Sequence, residues 1–325
     1  MPRSRWALAG VALLVVAFVG ILVGSVALTP AAVWQAVRGT GDPMAVTIVR
    51  DLRVPRVALA ALVGAALGTS GGALQGALRN ALAEPYLLGV SGGAAVGAVL
   101  TFAFGVTDPI LVPLGAFVGA GAASALVLGI ARVSGGRADP RLLVMGGVVV
   151  GAFANAIVMV ALANASADTI RDALWWMMGS VADARWRQVA VLALYVVLAG
   201  GALLRWARDL DALALGEEAA AALGVEVDRV GPRVFLAASL LAAASVASAG
   251  LVGFVGLVVP HLARALGARA HRPLLAASAL FGATLVVAAD VAARTARPPS
   301  ELPLGAVTAL VGVPFFLWRL ARSAS

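Results

Sequence analysis

The chain has 325 residues, 62% of them hydrophobic and only 12% charged, with a formal net charge of +8. A soluble domain carries roughly a quarter charged residues, and the mean hydropathy here is +0.99, so a water-soluble fold is excluded. All 24 basic side chains other than histidine are arginine and cysteine is absent, which removes disulfides, thiolate chemistry, Schiff-base chemistry and the lysine that a Walker A loop places on nucleotide phosphates.

These exclusions leave an all-α, polytopic membrane protein with residues 1–325 as a single transmembrane domain. Energy from ATP must then come from a partner. The arginines lie mostly between hydrophobic spans, where membrane topology explains them better than a nucleic-acid surface does.

In chain order, Arg3 and Arg5 precede Trp6–Leu28, a run of 23 uncharged residues. A signal peptide's apolar region is roughly 7–15 residues, so this is read as a retained first span with its N-terminus in the cytoplasm. The next spans are Val57–Leu78, Leu87–Val106, Ile110–Ala131, Leu142–Ala167 and Val189–Leu204. Val234–Pro260 is ambiguous: 27 residues without an ionisable side chain form either one helix or one helix and the start of another around Phe254–Leu266. Leu274–Asp290 and Leu302–Leu317 complete the series.

Arginine placement decides the ambiguity. Ten crossings put fifteen arginines inside and nine outside, whereas nine crossings give twelve on each side. The positive-inside rule favours ten, with a turn at Gly250 and Gly253 and both termini cytoplasmic. The 37 glycines suit close helix packing in lipid. A weak internal echo, "PRVALAA" at Pro55 and "PRVFLAA" at Pro232, fits an inverted repeat.

Several polar features interrupt this pattern. Gly68-Thr69-Ser70-Gly71-Gly72 and Gly89-Val90-Ser91-Gly92-Gly93 match the G-x-S-x-G of a serine nucleophile, with His261 as a conceivable base. In so glycine-rich a chain, helix packing is the stronger reading. His261 and His271 have no carboxylates at ligand spacing, so no metal site is expected. Arg53, Arg56, Arg294 and Arg297 fall on the outer side, against the topology bias. Either interfacial ion pairing, as between Asp290 and Arg294, or recognition of carboxylates on another protein accounts for them. The loop Arg205–Arg233 holds six acids against four arginines and, at "LALGEEAAAALGV", a short helix. It is a solvated connector or a docking helix for a cytoplasmic partner.

Taken together, "RVPRVALAALVGAALGTSGGALQGALRNALAEPYLLGVSGGAAVGA", "WWMMGSVADARWRQ", "LALGEEAAAALGV", "GFVGLVVPHLAR" and "HRPLLAASALFGATLVVAADVAAR…ELPLGAVTALVGVPFF" resemble the FecCD-type permeases of ABC importers, in the family's order from Arg53 to Phe316. The resemblance implies ten helices per subunit of a homodimer in the bacterial cytoplasmic (inner) membrane. It implies a path at the dimer axis, two cytoplasmic ABC ATPase subunits and an extracytoplasmic substrate-binding protein. No cofactor is expected in this chain, ATP and Mg belonging to the ATPase, and no catalytic residue. By the same resemblance Arg53, Arg56 and Arg294 meet acids of the binding protein. Within a coupling loop at about 209–229, Leu215, Gly216, Glu217, Glu218, Ala219, Leu223 and Gly224 contact the ATPase. Asp139 and Pro140 fall at the cytoplasmic gate, although "SGGRADPR" departs from the family's pattern there, as Asn80-Ala81-Leu82-Ala83 departs from Asn-Pro-Leu-Ala. The implied cargo is a metal chelate, ferric siderophore first, then cobalamin or haem. Rival readings are an ion-coupled transporter using Asp290 and, more remotely, an intramembrane serine protease.

Overall fold

A computed structural model describes residues 1–24, 26–135, 139–298 and 300–323. Among them the chain is helical with no strand. The helices are α1 (Arg3–Leu22), α2 (Pro30–Arg38), α3 (Pro43–Ala77), α4 (Val90–Ala103), α5 (Leu111–Gly135), α6 (Pro140–Ala163) and α7 (Ala167–Met177). They continue as α8 (Trp186–Arg205), α9 (Ala207–Leu213), α10 (Glu217–Ala222), α11 (Val227–Ala249), α12 (Val255–Ala265), α13 (His271–Thr295) and α14 (Leu304–Ser323). Seven of these (α1, α3, α5, α6, α8, α11 and α13) are long and apolar enough to cross a membrane, and α4, α12 and Leu304–Trp318 of α14 are shorter apolar helices.

Helix starts follow capping chemistry. Thr29, Asp42 and Ser166 accept hydrogen bonds from Ala32, Ala45 and Thr169 backbone N–H groups, and proline follows the first two at the first helical position. The second span begins well upstream of Val57, because α3 runs unbroken from Pro43. Pro55 is tolerated inside it because a π-helical turn at Ile48–Arg53 widens the backbone where the proline ring would otherwise meet the preceding turn.

The ambiguous stretch Val234–Pro260 is two helices. α11 stops at Gly250, whose φ of +69° and ψ of −159° suit only glycine, and an added Cβ there would lie 2.2 Å from the Trp176 carbonyl oxygen. The ends of three helices meet at this point. Ser180 N–H donates to Ala249 (2.9 Å), Leu304 N–H to Gly179 (3.1 Å) and Gly305 N–H to Met178 (3.1 Å). Irregular backbone is stable at such a junction because its polar groups are satisfied within the protein.

The centre is α3, packed on α13, α11 and α12. Gly64 and Gly282 let α3 and α13 touch backbone to backbone, and a Cβ at Gly71 would lie 1.9 Å from the Gly256 oxygen of α12. α4 and α5 approach in the same way through Gly93 with Gly119 and Gly97 with Gly115. Small residues at these crossings do in lipid what large apolar ones do in water. Three helices were absent from the sequence reading: α2, on the link between α1 and α3, α7, on the link between α6 and α8, and α9, which makes the Arg205–Arg233 loop a pair of helices.

Candidate functional site

A charge cluster forms where α1, α3 and α13 converge at one end of the helices. α1 ends at Leu22 and leaves carbonyl oxygens without helical partners. Arg53, 6% exposed, fills that role: its guanidinium donates to Ile21 (2.9 Å), Leu22 (2.7 Å) and Val26 carbonyl oxygens. Arg294 donates to the Val23 (3.1 Å) and Gly20 (2.7 Å) carbonyls. Both side chains point into the protein.

Arg56 makes a double fork. Its Nε and Nη2 donate to Asp290 Oδ1 at 2.9 and 2.8 Å, and its Nη1 and Nη2 donate to the two Glu301 carboxylate oxygens at 2.9 and 2.7 Å. Asp290 is 2% exposed in its side chain and Glu301 39%. The hydrogen bond from Arg56 holds the Glu301 carboxyl below the usual range. Arg294 Nε stands 3.4 Å from Asp290 Oδ2, an ion pair without a hydrogen bond. The Asp290–Arg294 pair expected from spacing is therefore present, but the tighter bond to Asp290 comes from Arg56, far away in sequence. Glu301 went unnoticed in the sequence, although an acid directly before the last apolar run was a usable signal. Arg297 is exposed.

At the opposite end of the helices, α10 stands between Gly216 (φ +110°) and Gly224 (φ +82°), both in conformations that favour glycine. Ala220 is buried and anchors the helix, while Leu215 and Leu223 are 70% and 66% exposed and Glu217, Glu218 and Ala219 face solvent. Beside it lies a cleft of about 970 Å³ lined by Arg79, Leu215, Glu217, Glu226, Asp228 and Arg229. Arg79 reaches across to Glu217 at 2.7 Å. The result is a projecting apolar knob on an acidic base, a shape suited to insertion into a cleft of another protein.

Arg79 begins the turn Arg79–Pro85, and its φ of +48° is unusual for a residue with a Cβ. The turn is pinned to α12. His261 Nε2 donates to the Ala81 carbonyl (2.9 Å), and Gln75 accepts from Arg264 while donating to the Gly256 (3.4 Å) and Leu257 (3.3 Å) carbonyls. Burial pushes the Glu84 carboxyl up to about 7, and its Oε2 has no hydrogen-bond partner among the described residues. His271 Nδ1 donates to Asp211 Oδ1 at 2.7 Å and ties α9 to the start of α13.

Asp139 and Pro140 are the N-cap and first residue of α6, Asp139 Oδ1 accepting from Arg141 N–H at 2.8 Å. The neighbouring 136–138 lie outside the described residues. Ser70 donates to the Ala238 carbonyl (2.8 Å) and Ser91 to the Tyr86 carbonyl (3.2 Å). Neither serine is bonded to His261. Among the described residues no group of three or more His, Asp or Glu side chains is placed to hold a metal ion.

Among the described residues the chain is a helical membrane protein with a projecting helix between two positive-φ glycines at one end and an arginine–carboxylate cluster at the other. The family model for the FecCD transport family matches residues 12–322, and the chain belongs to that family. It is 40% identical to the vitamin B12 import system permease protein BtuC of Vibrio cholerae, over 99% of this chain and 94% of that one. It is 37% identical to the hemin transport system permease protein HmuU of Yersinia pestis, over 99% and 96%. A solved inward-facing structure of a putative metal-chelate type ABC transporter superposes with a TM-score of 0.87 at 28% identity, covering 97% of each chain. The protein is thus a multi-pass, non-catalytic permease subunit of an ABC transporter, and ATP hydrolysis belongs to a separate ATPase subunit.

Proposed function

We propose that the chain is one of two identical subunits forming the path of a metal-chelate importer in the bacterial inner membrane. Residues 1–325 act as one transmembrane domain with ten crossings and both termini cytoplasmic. The seven long and three shorter apolar helices support that number, and the arginine balance of the sequence favours the orientation. Under this orientation α10 lies on the cytoplasmic side and the Arg56–Glu301 cluster on the outer side.

The observation that carries the proposal is α10, set between two positive-φ glycines with Leu215 and Leu223 exposed at its two ends. It is the coupling helix, and Leu215, Gly216, Glu217, Glu218, Ala219, Leu223 and Gly224 are its contact surface for the ATPase, which binds ATP and Mg; this chain needs no cofactor. Asp139 and Pro140, capping α6, stand at the cytoplasmic gate. On the outer side Arg56 is the docking arginine best placed to act, because one of its two acids, Glu301, is half-exposed and open to exchange with a carboxylate of the substrate-binding protein. Arg53 and Arg294 reach such a partner only by releasing the carbonyls of α1.

The cargo proposed is a metal chelate. Identities of 40% and 37% to relatives named for vitamin B12 and hemin do not separate the two, so cobalamin, haem and ferric siderophores are compared directly. The test is ATP-driven uptake of each, radiolabelled, into proteoliposomes holding the chain with its ATPase and binding protein. One chelate accumulates, and Ala220→Pro abolishes its uptake while ATP is still hydrolysed. Accumulation driven by a proton gradient without the ATPase overturns the proposal.

A further inference from the structure

A groove runs between α5 and α8 with α11 as its back wall, and two joined hollows make it up. One, of about 380 Å³, lies among the helix ends and is lined by Thr107, Asp108, Ser180 and Asp183. From it a second, of about 220 Å³, continues between the two helices, with Leu114, Phe117, Val191 and Tyr195 on its sides and Ala244 and Ala247 of α11 behind. Phe117 and Tyr195 close the far end with their rings 5.4 Å apart.

Polarity changes along the groove. Tyr195 lies eight residues past Arg187 on α8, about 12 Å deeper at 1.5 Å per residue. Charge is therefore confined to the mouth, where Arg187, Asp108 and Asp183 are all exposed. The depth is lined by aliphatic and aromatic side chains, and Ser248 on the back wall donates to the Ala244 carbonyl at 2.8 Å.

Three observations identify the occupant. Arg187 makes no hydrogen bond or ion pair among the described residues beyond its longer-range attraction to Asp108, and a guanidinium fork fits phosphate oxygens. Ile110 and Leu111 N–H groups, at 2.8 and 3.0 Å, hold the Asp108 carboxyl below the usual range; Asp183 lines the same hollow, so two acids face any cation that enters. The narrow depth excludes a protein segment, because one helical turn with its side chains fills roughly 500 Å³ at its usual diameter and pitch, more than either hollow, whereas an alkyl chain fits.

We propose that the groove between α5 and α8 binds a membrane phospholipid of the phosphoethanolamine class, with its phosphate on Arg187, its ammonium between Asp108 and Asp183, and one acyl chain laid along α11 as far as Phe117 and Tyr195. The site depends on neither the cargo nor the homodimer put forward above.

In the test the delipidated full chain in detergent is supplied with phosphatidylethanolamine, phosphatidylglycerol or phosphatidylcholine of identical acyl chains, and retained lipid is counted by native mass spectrometry. One phosphatidylethanolamine is retained several-fold more than either rival, since a glycerol headgroup brings the acids no cation and a choline brings no N–H donor. Arg187→Ala lowers this retention several-fold and Asp183→Asn removes the preference for ethanolamine; both positions are exposed, and an unchanged melting temperature verifies that the fold is kept. Val191→Trp, which fills the groove from its exposed side, lowers retention of all three lipids, and Leu14→Trp on the exposed face of α1 leaves it unaltered. Equal retention of the three headgroups, a preference for phosphatidylglycerol, or a preference for ethanolamine that survives both Arg187→Ala and Val191→Trp overturns the site.

Discussion

The two acids on Arg56 are expected to contribute unequally to stability, and a double-mutant cycle separates them. Asp290 is 2% exposed and accepts two N–H groups from Arg56 at 2.9 and 2.8 Å. Taking one partner from a buried ion pair costs about 3–5 kcal/mol, because a charge is left buried without compensation. Arg294, 3.4 Å away on Asp290 Oδ2, softens that loss, which puts the Arg56–Asp290 coupling near the lower end, about 3 kcal/mol. Glu301 makes a fork of equally short bonds, but its side chain is 39% exposed; screening by water reduces its coupling to about 1 kcal/mol or less. The cycle uses Arg56→Met, which keeps the apolar stem, with Asp290→Asn and Glu301→Gln, singly and in pairs, read by reversible unfolding in mixed micelles. A coupling to Glu301 equal to or above that to Asp290 would refute the reasoning, since burial and not bond length would then have failed to set the order.

Other substitutions test the packing, the Arg79–Pro85 turn and the proposed contact at α10. In Gly64→Ala the new methyl would lie 2.0 Å from the Gly282 oxygen, so α3 and α13 must part and stability falls by about 1–3 kcal/mol or more; Gly121→Ala, with nothing within 4 Å, is neutral or gains up to about 1 kcal/mol in the same melts. Glu84 has its carboxyl raised from 4.5 to about 7 in the folded protein, so the fold binds more protons than the unfolded chain and loses stability as pH rises through that window, by roughly 3 kcal/mol. Glu84→Gln removes this slope and is the more stable protein at pH 8; an unchanged slope between pH 4.5 and 7 sinks the assignment. Arg79 and Glu217 form a pair that is nearly half-exposed at both ends, so Glu217→Gln changes stability by under about 1 kcal/mol while lowering chelate uptake per ATP hydrolysed; an unaltered ratio removes the pair from the coupling contact.

What the sequence disclosed depended on whether the governing group was a side chain or the backbone. The apolar spans were legible because lipid imposes length and composition, and the break between α11 and α12 was legible because a φ of +69° at Gly250 leaves a glycine in the sequence. The upstream half of α3 was not, since Arg50, Asp51 and Arg53 lie inside the helix and mimic a loop. α7 and α9 are too short to announce themselves by periodicity and are held by tertiary contacts. The arginines expected on the outer side were the instructive case. Arg53 and Arg294 ran against the positive-inside bias and looked like cations waiting for a partner, but their acceptors are the carbonyl oxygens at the end of α1. Backbone acceptors have no residue type, so no sequence pattern marks them.

The same distinction separates what is rigid in this molecule from what is free to respond. α3 is joined to α12 and α13 through backbone contacts that tolerate no added methyl, at Gly71 with Gly256 and at Gly64 with Gly282. A displacement of one of these three helices therefore carries the others with it. α10 has no such weld: it rests on buried Ala220 and on one exposed ion pair, between two positive-φ glycines. Its pair partner Arg79 sits just past α3, on a turn that His261 fastens to α12, while Gln75 ties α3 itself to α12. A force applied to Leu215 and Leu223 thus meets a compliant element first and then a stiff three-helix unit, the order required if a partner's motion is to be transmitted across the membrane rather than dissipated at the surface.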